Sequence, residues 1–272
     1  MADDNALPLS QIDRILLLGD THGNATWTAF VIDQAAKLDA KLILQLGDFG
    51  YWPRQDWGRG FLDATEKTLG EYSLPLWFID GNHEDHVALR SVSRPPGLYS
   101  ISDHISYLAR GTRWTWGDTV WLAAGGASSV DRHFREPGVE WFPEEFMTEE
   151  QFKSIENQGH ADVVVAHDAP AGIGFLIDWR ATNDLPVGQG WPLDAIADAE
   201  AHQGRLRHLL EATQPGAWFH GHHHVAYHEN LATGFGATDV YGLDRDGTTL
   251  LHASLLVGGD GAAIPWKEVL GE

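Results

Sequence analysis

The stretches LLLGDTHGN (residues 16–24) and ILQLGDFG (43–50) each end an apolar run with glycine and a side chain that can bind a metal ion. Three later stretches likewise place such a side chain at the end of an apolar run: WFIDGNHED (77–85), DVVVAHDAP (162–170) and AWFHGHHH (217–224). Short runs of aliphatic and β-branched residues indicate buried strands. Sites in open α/β sheets form outside the carboxyl ends of the strands. The pattern therefore predicts one site to which five strands contribute.

The side chains at these five points predict a centre of two metal ions. They are Asp20, His22, Asp48, Asn82, His167, His222 and His224. Imidazole combined with carboxylate and carbonyl oxygens suits borderline-hard divalent ions. Seven ligands exceed what one ion needs, whereas two ions about 3.5–4 Å apart that share a carboxylate would use them all. Asp48 is the expected bridge because it is the only ligand in its stretch and lies in the middle of the set.

The order of these blocks resembles the calcineurin-like metallophosphoesterase superfamily. The superfamily order is D-x-H, GD, GNH(E/D), H and GHxH, and this sequence matches every block between Asp20 and His224. The later segment GGASSVDRHFREPGVEWFPEE (125–145) resembles small prokaryotic and phage-type phosphoesterases. Five blocks in the same order, each with strand context, are more specific than any one of them.

The resemblance implies a division of the ligands between two divalent ions. One ion would be held by Asp20, His22, Asp48 and His224. The other would be held by Asp48, Asn82, His167 and His222. Manganese is the expected metal, with Fe, Zn, Ni, Co and Mg as alternatives. His83 would be a histidine that binds no metal and faces the substrate.

The expected activity is hydrolysis of a phosphodiester in a small nucleotide or a short nucleic-acid-type substrate. A hydroxide that bridges the two ions would attack in line, with His83 as general acid. The second block, GDFGYWPRQDWG (47–58), lacks the Asp-Arg pair that follows GD in Ser/Thr protein phosphatases. The alternatives are a phosphomonoesterase, either a nucleotidase or a protein phosphatase, and a non-catalytic binding module of the same fold.

The order of predicted elements indicates an α/β fold. Strands at 14–20, 41–48 and 74–82 alternate with helices at 25–39 and 55–70, which is typical of βαβ units and a parallel sheet. Further strands follow from residue 105. The expected architecture is a four-layer αββα sandwich, with two mixed β-sheets flanked by helices, which is also the fold that the resemblance implies.

Residues 1–272 are expected to form a single domain. Insertions are expected near 128–160 and 171–191, the second as a loop over the site. A capping box at Thr148 predicts a helix that runs to about Asn157. LDRDGTT (243–249) is expected to form a hairpin turn.

The amino-acid composition limits the kinds of partner that we expect the protein to bind. The net charge is −21 with only 18 Lys and Arg, which argues against long duplex nucleic acid and favours a small phosphorylated substrate. The absence of Cys excludes disulfides and thiolate ligands, and it fits a cytoplasmic location. MADDNALPLSQID has no basic start or apolar core, so no secretory signal is expected, and no membrane span is expected either. The sequence does not indicate an oligomeric state.

Two sets of residues are candidates for substrate contacts. Tyr51, Trp52 and Trp57 follow Asp48 in a loop broken by Gly and Pro, where they would either stack on a base or pack into the core. Arg132, together with Arg135, would either clamp a phosphate or lie in a solvated loop. Asp80 and Asp168 flank ligand blocks, and each would either orient a ligand histidine or support a turn.

Overall fold

The structure, a computed structural model, describes residues 12–93, 96–183 and 190–265. Its first sheet has the strand order β12-β1-β2-β3-β5-β4. These strands are β1 (Ile15–Leu18), β2 (Leu42–Gln45), β3 (Leu76–Phe78), β4 (Leu98–Ser100), β5 (Ile105–Leu108) and β12 (Ser254–Val257). The inner pairs are parallel, while β12 and β4 pair antiparallel with their neighbours. The sheet is therefore mixed, as predicted.

The second sheet has the strand order β10-β11-β9-β8-β7-β6. These strands are β6 (Arg113–Trp116), β7 (Thr119–Ala124), β8 (Val163–Ala166), β9 (Ala217–His220), β10 (Tyr227–Thr233) and β11 (Gly236–Gly242). It is also mixed, with antiparallel pairs at both edges and parallel pairs in the centre. The β6–β7 hairpin turns at Gly117, whose φ of 57° lies in the left-handed region that favours glycine.

Seven α-helices lie in the described part of the chain. They are α1 (Ala25–Lys37), α2 (Asp56–Tyr72), α3 (His86–Val92), α4 (Glu149–Glu156), α5 (Gly174–Asn183), α6 (Leu193–Thr213) and α7 (Leu250–Ala253). The Thr148 hydroxyl and the Gln151 side chain cap α4 reciprocally, which confirms the predicted capping box. None of the described helices combines the length and the apolar character that a membrane crossing requires.

The four layers follow from strands that are buried on both faces. In β1, Leu17 faces an apolar cluster that includes Trp121 and Phe219 of the second sheet. Leu16, the next residue, belongs to the cluster that contains Val31 of α1. Helices α4 and α6 cover the far side of the second sheet in a third cluster. Because successive strand residues point to opposite faces, each apolar run supplies two layers of core, and the predicted αββα sandwich is confirmed.

The parallel strands bring the ligand-bearing turns to one end of the molecule. β1, β2 and β3 run parallel and lead into the turns that carry Asp20, Asp48 and Asn82. In the second sheet, β8 leads directly to His167, and β9 leads to the turn that carries His222. The predicted ligands therefore leave the carboxyl ends of strands in both sheets.

Two local predictions were wrong. Residues 171–191 were expected to be a loop, but α5 occupies 174–183, and residues 184–189 lie outside the described part. LDRDGTT was expected to turn a hairpin, but it connects β11 of the second sheet to α7 and then to β12 of the first. Gly and Asp mark a reversal of the chain without indicating which sheet the next strand joins. The single domain stays a prediction.

Candidate metal centre

The predicted ligands form two adjacent groups of donor atoms. Asp20, His22 and His224 form one, and Asp48, His167 and His222 form the other. In the first, Nε2 of His224 lies 3.0 Å from Oδ2 of Asp20. In the second, Nε2 of His167 lies 3.3 Å from Oδ1 of Asp48. Donor atoms this close, and within 4.8 Å of one another in each group, are arranged as a metal ion requires.

Asp48 lies between the two groups. Its Oδ1 faces His167 at 3.3 Å, and its Oδ2 lies 3.7 Å from Nε2 of His22. Its Oδ1 also accepts the backbone N–H of His83 at 2.7 Å, which fixes the carboxylate in the turn after β3. The two oxygens thus point to different groups, as expected of a bridging carboxylate.

Two histidines are oriented by acceptors outside the cluster. Nδ1 of His167 lies 2.7 Å from the carbonyl oxygen of Leu46, and Nδ1 of His22 lies 3.0 Å from Oδ1 of Asp246. Each neutral ring would carry its proton on Nδ1 and direct the lone pair of Nε2 into the cluster. A fixed tautomer of this kind is usual for metal-binding histidines.

The cluster concentrates acceptors that need a cation. Nε2 of His167 faces Oδ1 of Asp48 at 3.3 Å and Oδ1 of Asn82 at 3.1 Å. Burial opposes protonation of His167, but the charges of Asp48 and Asp20 raise its pKa to about 10. Burial likewise opposes protonation of His22, but its bonds to Asp246 and Asp48 raise its pKa to about 11. The cluster thus favours positive charge among its donor atoms, which fits the binding of divalent ions.

The carboxylates of the cluster are held ionised. Burial alone would raise the pKa of Asp48, but the positive charge of His167 holds it well below its ordinary value. The pKa of Asp20 is lowered for the same reason, against the effect of burial. Burial lowers the pKa of His222 well below its ordinary value, which leaves this imidazole neutral. Ionised carboxylates and a neutral imidazole are the forms that bind metal.

The backbone is strained at four of the seven predicted ligands. The φ angles of His22, Asp48, His222 and His224 are 46°, 53°, 67° and 51°. Such left-handed conformations cost about 1–3 kcal/mol each in residues other than glycine and are concentrated at functional sites. His222 and His224, two residues apart, occupy a tight turn and belong to different donor groups.

Two glycines of the motifs are required by close approach. A Cβ on Gly81 would lie 2.2 Å from Oδ1 of Asp48, and one on Gly221 would lie 2.1 Å from Oδ1 of Asp20. No side-chain atom can be accommodated at such distances without moving a carboxylate. The glycines of GNHE and GHHH therefore let the backbone turns pass directly beside the two aspartates.

The substrate side of the cluster is a cavity of about 550 Å³. Its lining includes His22 and His83, together with Trp52, Trp57, Phe134 and Arg135. The His83 ring lies 6.0 Å from that of His22, so the structure places it beside the cluster and facing the cavity. Its Nε2 is 4.0 Å from Oδ2 of Asp131.

Only some of the residues predicted to contact the substrate line the cavity. Trp52 lines the cavity and donates from Nε1 to the carbonyl oxygen of His83 at 2.7 Å, whereas Tyr51 packs in the core of the first sheet. Arg132 does not line the cavity and pairs with Asp194 and Asp198 of α6. These two ion pairs tie the 3₁₀ turn Arg132–Phe134 to α6.

Arg135 reaches the cluster from the segment that sequence reasoning treated as an insertion. It donates to the backbone oxygen of Asn82 at 3.2 Å and to Oγ of Ser129 at 2.6 Å. Ser129 also accepts from Nδ2 of Asn82 at 2.9 Å and donates to Oε2 of Glu145 at 2.7 Å. This series of hydrogen bonds fixes the Asn82 amide with its oxygen toward His167. No local pattern in the sequence marks Ser129 or Glu145.

The hydrogen bonds of Asp80 and Asp168 to other side chains go to residues that are not predicted ligands, although Asp168 also lies close to His222. Asp80 accepts from Tyr107 and Arg110, both at 2.8 Å. Asp168 accepts from His202 and His223, both at 3.0 Å, and neither is a predicted ligand. The orienting carboxylate is Asp246, which the sequence did not single out because it lies 224 residues from His22 along the chain.

The fold is similar to that of solved structures of low sequence identity. One is TT1561 of Thermus thermophilus, at 16% identity and a TM-score of 0.52, over 86% of this chain and 90% of that one. Another is a dimetal phosphatase from Danio rerio, at 15% identity and a TM-score of 0.54, over 93% of this chain and 98% of that one. No curated protein matches the sequence.

The family follows from a match along most of the chain. The family model for calcineurin-like phosphoesterases matches residues 13–226, which contain all five ligand blocks. The match agrees with the two sheets, with the His and Asp groups at their carboxyl ends, and with the resemblance that the motif order indicated. The chain therefore belongs to the calcineurin-like phosphoesterase family.

Proposed function

We propose that this protein is a phosphodiesterase that depends on two divalent metal ions, with manganese as the expected metal. The proposed ligand sets are those given above: Asp20, His22, Asp48 and His224 for one ion, and Asp48, Asn82, His167 and His222 for the other. The observation that carries the proposal is the position of Asp48. Its two carboxylate oxygens face His22 of one group and His167 of the other, beside a cavity of substrate size.

The bound ions and His83 would have different roles in the reaction. Bound divalent ions would lower the pKa of water toward neutrality and offset the charge that builds on phosphate oxygens. His83 would act at the leaving group, where its imidazole donates a proton to the departing oxygen or holds it in position. Its backbone N–H bond to Asp48 supports this role, because it anchors the residue beside the bridge without using the ring.

The charge of the cavity favours a diester. Asp131 and Glu140 line it, and its one lining arginine, Arg135, already pairs with the Asp131 carboxylate and donates to the backbone oxygen of Glu140. A phosphomonoester carries up to two negative charges, whereas a diester carries one. Since like charges close together are destabilising, the wall formed by Asp131 and Glu140 accommodates the singly charged diester better, while the bound ions would offset charge on either kind of substrate. A single nucleotide or short diester fits a cavity of about 550 Å³, which is within the usual range of about 300–1,000 Å³ for small-molecule sites.

A phosphomonoesterase is the alternative, because the Danio rerio protein of similar fold is described as a dimetal phosphatase. A protein phosphatase is the weaker form of it, since the second block lacks the Asp-Arg pair. A non-catalytic module is a third reading, and the full set of predicted ligands argues against it. A small phosphorylated substrate and a cytoplasmic location are retained as part of the proposal.

Two chromogenic substrates separate these functions. Protein treated with a chelator and then supplied with Mn²⁺ should hydrolyse bis-p-nitrophenyl phosphate with a higher kcat/KM than p-nitrophenyl phosphate. The reverse preference would favour the monoesterase. Failure to hydrolyse either substrate, at a measured content of two ions per chain, would favour the binding module.

A further inference from the structure

Exposed aromatic side chains border the cavity that contains His22 and His83. Trp57 is 52% exposed and Phe134 is 71% exposed, and both line this cavity. Large aromatic side chains are costly to leave in water, and apolar patches at a cleft usually mark a binding site. The two residues come from separate segments, one at the start of α2 and one from the 3₁₀ turn Arg132–Phe134.

Trp57 is placed directly against the turn that carries His22. A Cβ on Gly23 would lie 2.7 Å from Cζ3 of Trp57, so the indole rests on the space that this glycine leaves open. Trp52 supports it from the neighbouring position, with ring centroids 5.9 Å apart. The Trp52 indole is itself fixed by its bond to the carbonyl oxygen of His83. The indole of Trp57 is therefore held in place while much of its surface is left exposed.

Phe134 is held from its C-terminal side. The next residue, Arg135, is anchored to the Asn82 carbonyl oxygen and to Ser129, as described above. The Phe134 ring lies 6.2 Å from that of Trp191. Phe134 is thus the direct neighbour in sequence of Arg135, whose hydrogen bonds help to position the predicted metal ligand Asn82.

Polar groups line the same cavity as these aromatic side chains. Gln55, the residue before α2, lines the cavity, and its side chain makes no capping hydrogen bond to the helix. Its amide therefore offers both a donor and an acceptor. The partly exposed carboxylate of Asp131 lines the same cavity and adds an acceptor. Heterocyclic bases combine a flat π-face with donors and acceptors at the edge, which simple aryl groups lack.

We propose that Trp57 and Phe134 bind the nucleobase of the substrate by stacking, with Gln55 at its polar edge. This inference rests on the proposed function and names the substrate class as nucleoside phosphodiesters. Stacking reads no particular base, because every base has a π-face. The subsite lies beside His22 and His83, so a base held there would bring its own phosphate toward the cluster.

The test compares two diesters that share a charge and a leaving group. These are thymidine 5′-(p-nitrophenyl phosphate) and methyl p-nitrophenyl phosphate, assayed with the Mn²⁺-loaded protein. KM should be about tenfold lower for the thymidine ester, in line with the usual gain from stacking one base. Trp57→Leu and Phe134→Leu should each remove most of this difference and leave KM for the methyl ester within about twofold. Phe30→Leu is the matched control, since Phe30 is 45% exposed and does not line the cavity.

A binding measurement makes the result independent of turnover. The Kd of each ester is measured by calorimetry on the full chain after a chelator has removed the metal. The thymidine ester should again bind more tightly than the methyl ester, and this difference should again be lost in the two variants. Equal affinity of the wild type for both esters, or an unchanged preference in both variants, would overturn the subsite. A retained binding preference without hydrolysis of either ester would support the subsite and reject the diesterase.

Discussion

Oδ1 of Asn82 lies 3.1 Å from Nε2 of His167 within the cluster. Two acceptor atoms approach this closely only with a proton or a metal ion between or beside them. The Asn82 amide keeps this orientation because its Nδ2 donates to Oγ of Ser129 at 2.9 Å. The orientation of a predicted metal ligand therefore depends on a serine 47 residues away in the chain.

Ser129→Ala should weaken metal binding without removing any ligand. The Asn82 amide would lose its acceptor, and the buried Glu145 would lose a donor. Loss of a group that orients a ligand usually costs about 10–100-fold in metal affinity. Calorimetric titration with Mn²⁺ should show this loss for one of two ions.

Ser128→Ala provides the matched control for Ser129. Ser128 is buried next to Ser129, but its hydroxyl has no hydrogen-bond partner among the described residues. Its removal should leave both affinities unchanged. Equal metal affinities in the two variants would contradict the positioning role of Ser129.

Asp48→Ala should impair both ions, whereas His224→Ala should impair mainly one. The reason is the placement of the Asp48 oxygens toward both donor groups, while His224 belongs to the first group alone, where it contacts Asp20 and His22. Metal analysis after gel filtration should find close to no tightly bound ion in the first variant and close to one in the second. Two tightly bound ions in Asp48→Ala would show that this carboxylate is not the bridge.

His83→Ala should retain both ions and lose rate. Its ring contacts no member of the two donor groups at bonding distance, although it lines the same cavity as His22. For diesters with a poor leaving group, kcat should fall by about 10²–10⁴-fold, the usual contribution of general acid catalysis. The loss should be smaller for p-nitrophenolate, which leaves without a proton. An equal loss for both kinds of leaving group would indicate that His83 positions the phosphate, and loss of an ion would make it a ligand.

His86 should make the stability of the fold depend on pH. It is buried at the start of α3, where burial lowers its pKa from 6.5 to about 4 despite the nearby charge of Asp80. The unfolded chain therefore binds this proton at higher pH than the folded chain does. The contribution of His86 is fully present above about pH 6.5 and is lost as the pH falls toward 4, by up to about 3 kcal/mol.

Denaturant unfolding at several pH values tests this expectation. The free energy of unfolding of the wild type should fall relative to that of His86→Leu between pH 6.5 and 4. His252→Leu serves as control because His252 is exposed. If His86→Leu kept the pH dependence of the wild type, another group would be responsible.

The elements that could be predicted were those with a local cause. The strand before Asp48 follows from an apolar run, α4 begins at a capping box, and β9 covers the expected residues 217–220. The turn at 243–249 was predicted with the wrong outcome because glycine and aspartate specify a reversal and not a partner strand. Helix α5 was missed because its glycine-rich and acidic surroundings are typical of loops.

The sequence by itself determined which residues meet at the cluster. Each of the five stretches indicates where a strand ends and which side chain follows it. Parallel strands end on one side of a sheet. Only the tertiary structure decided how those side chains are held and what faces them. The contacts of Asp246 with His22 and of Ser129 with Asn82 join distant segments, and so does the shared lining of the cavity by Trp57 and Phe134. Their pairing depends on how two sheets and their connections pack, and short-range patterns carry no information about that packing.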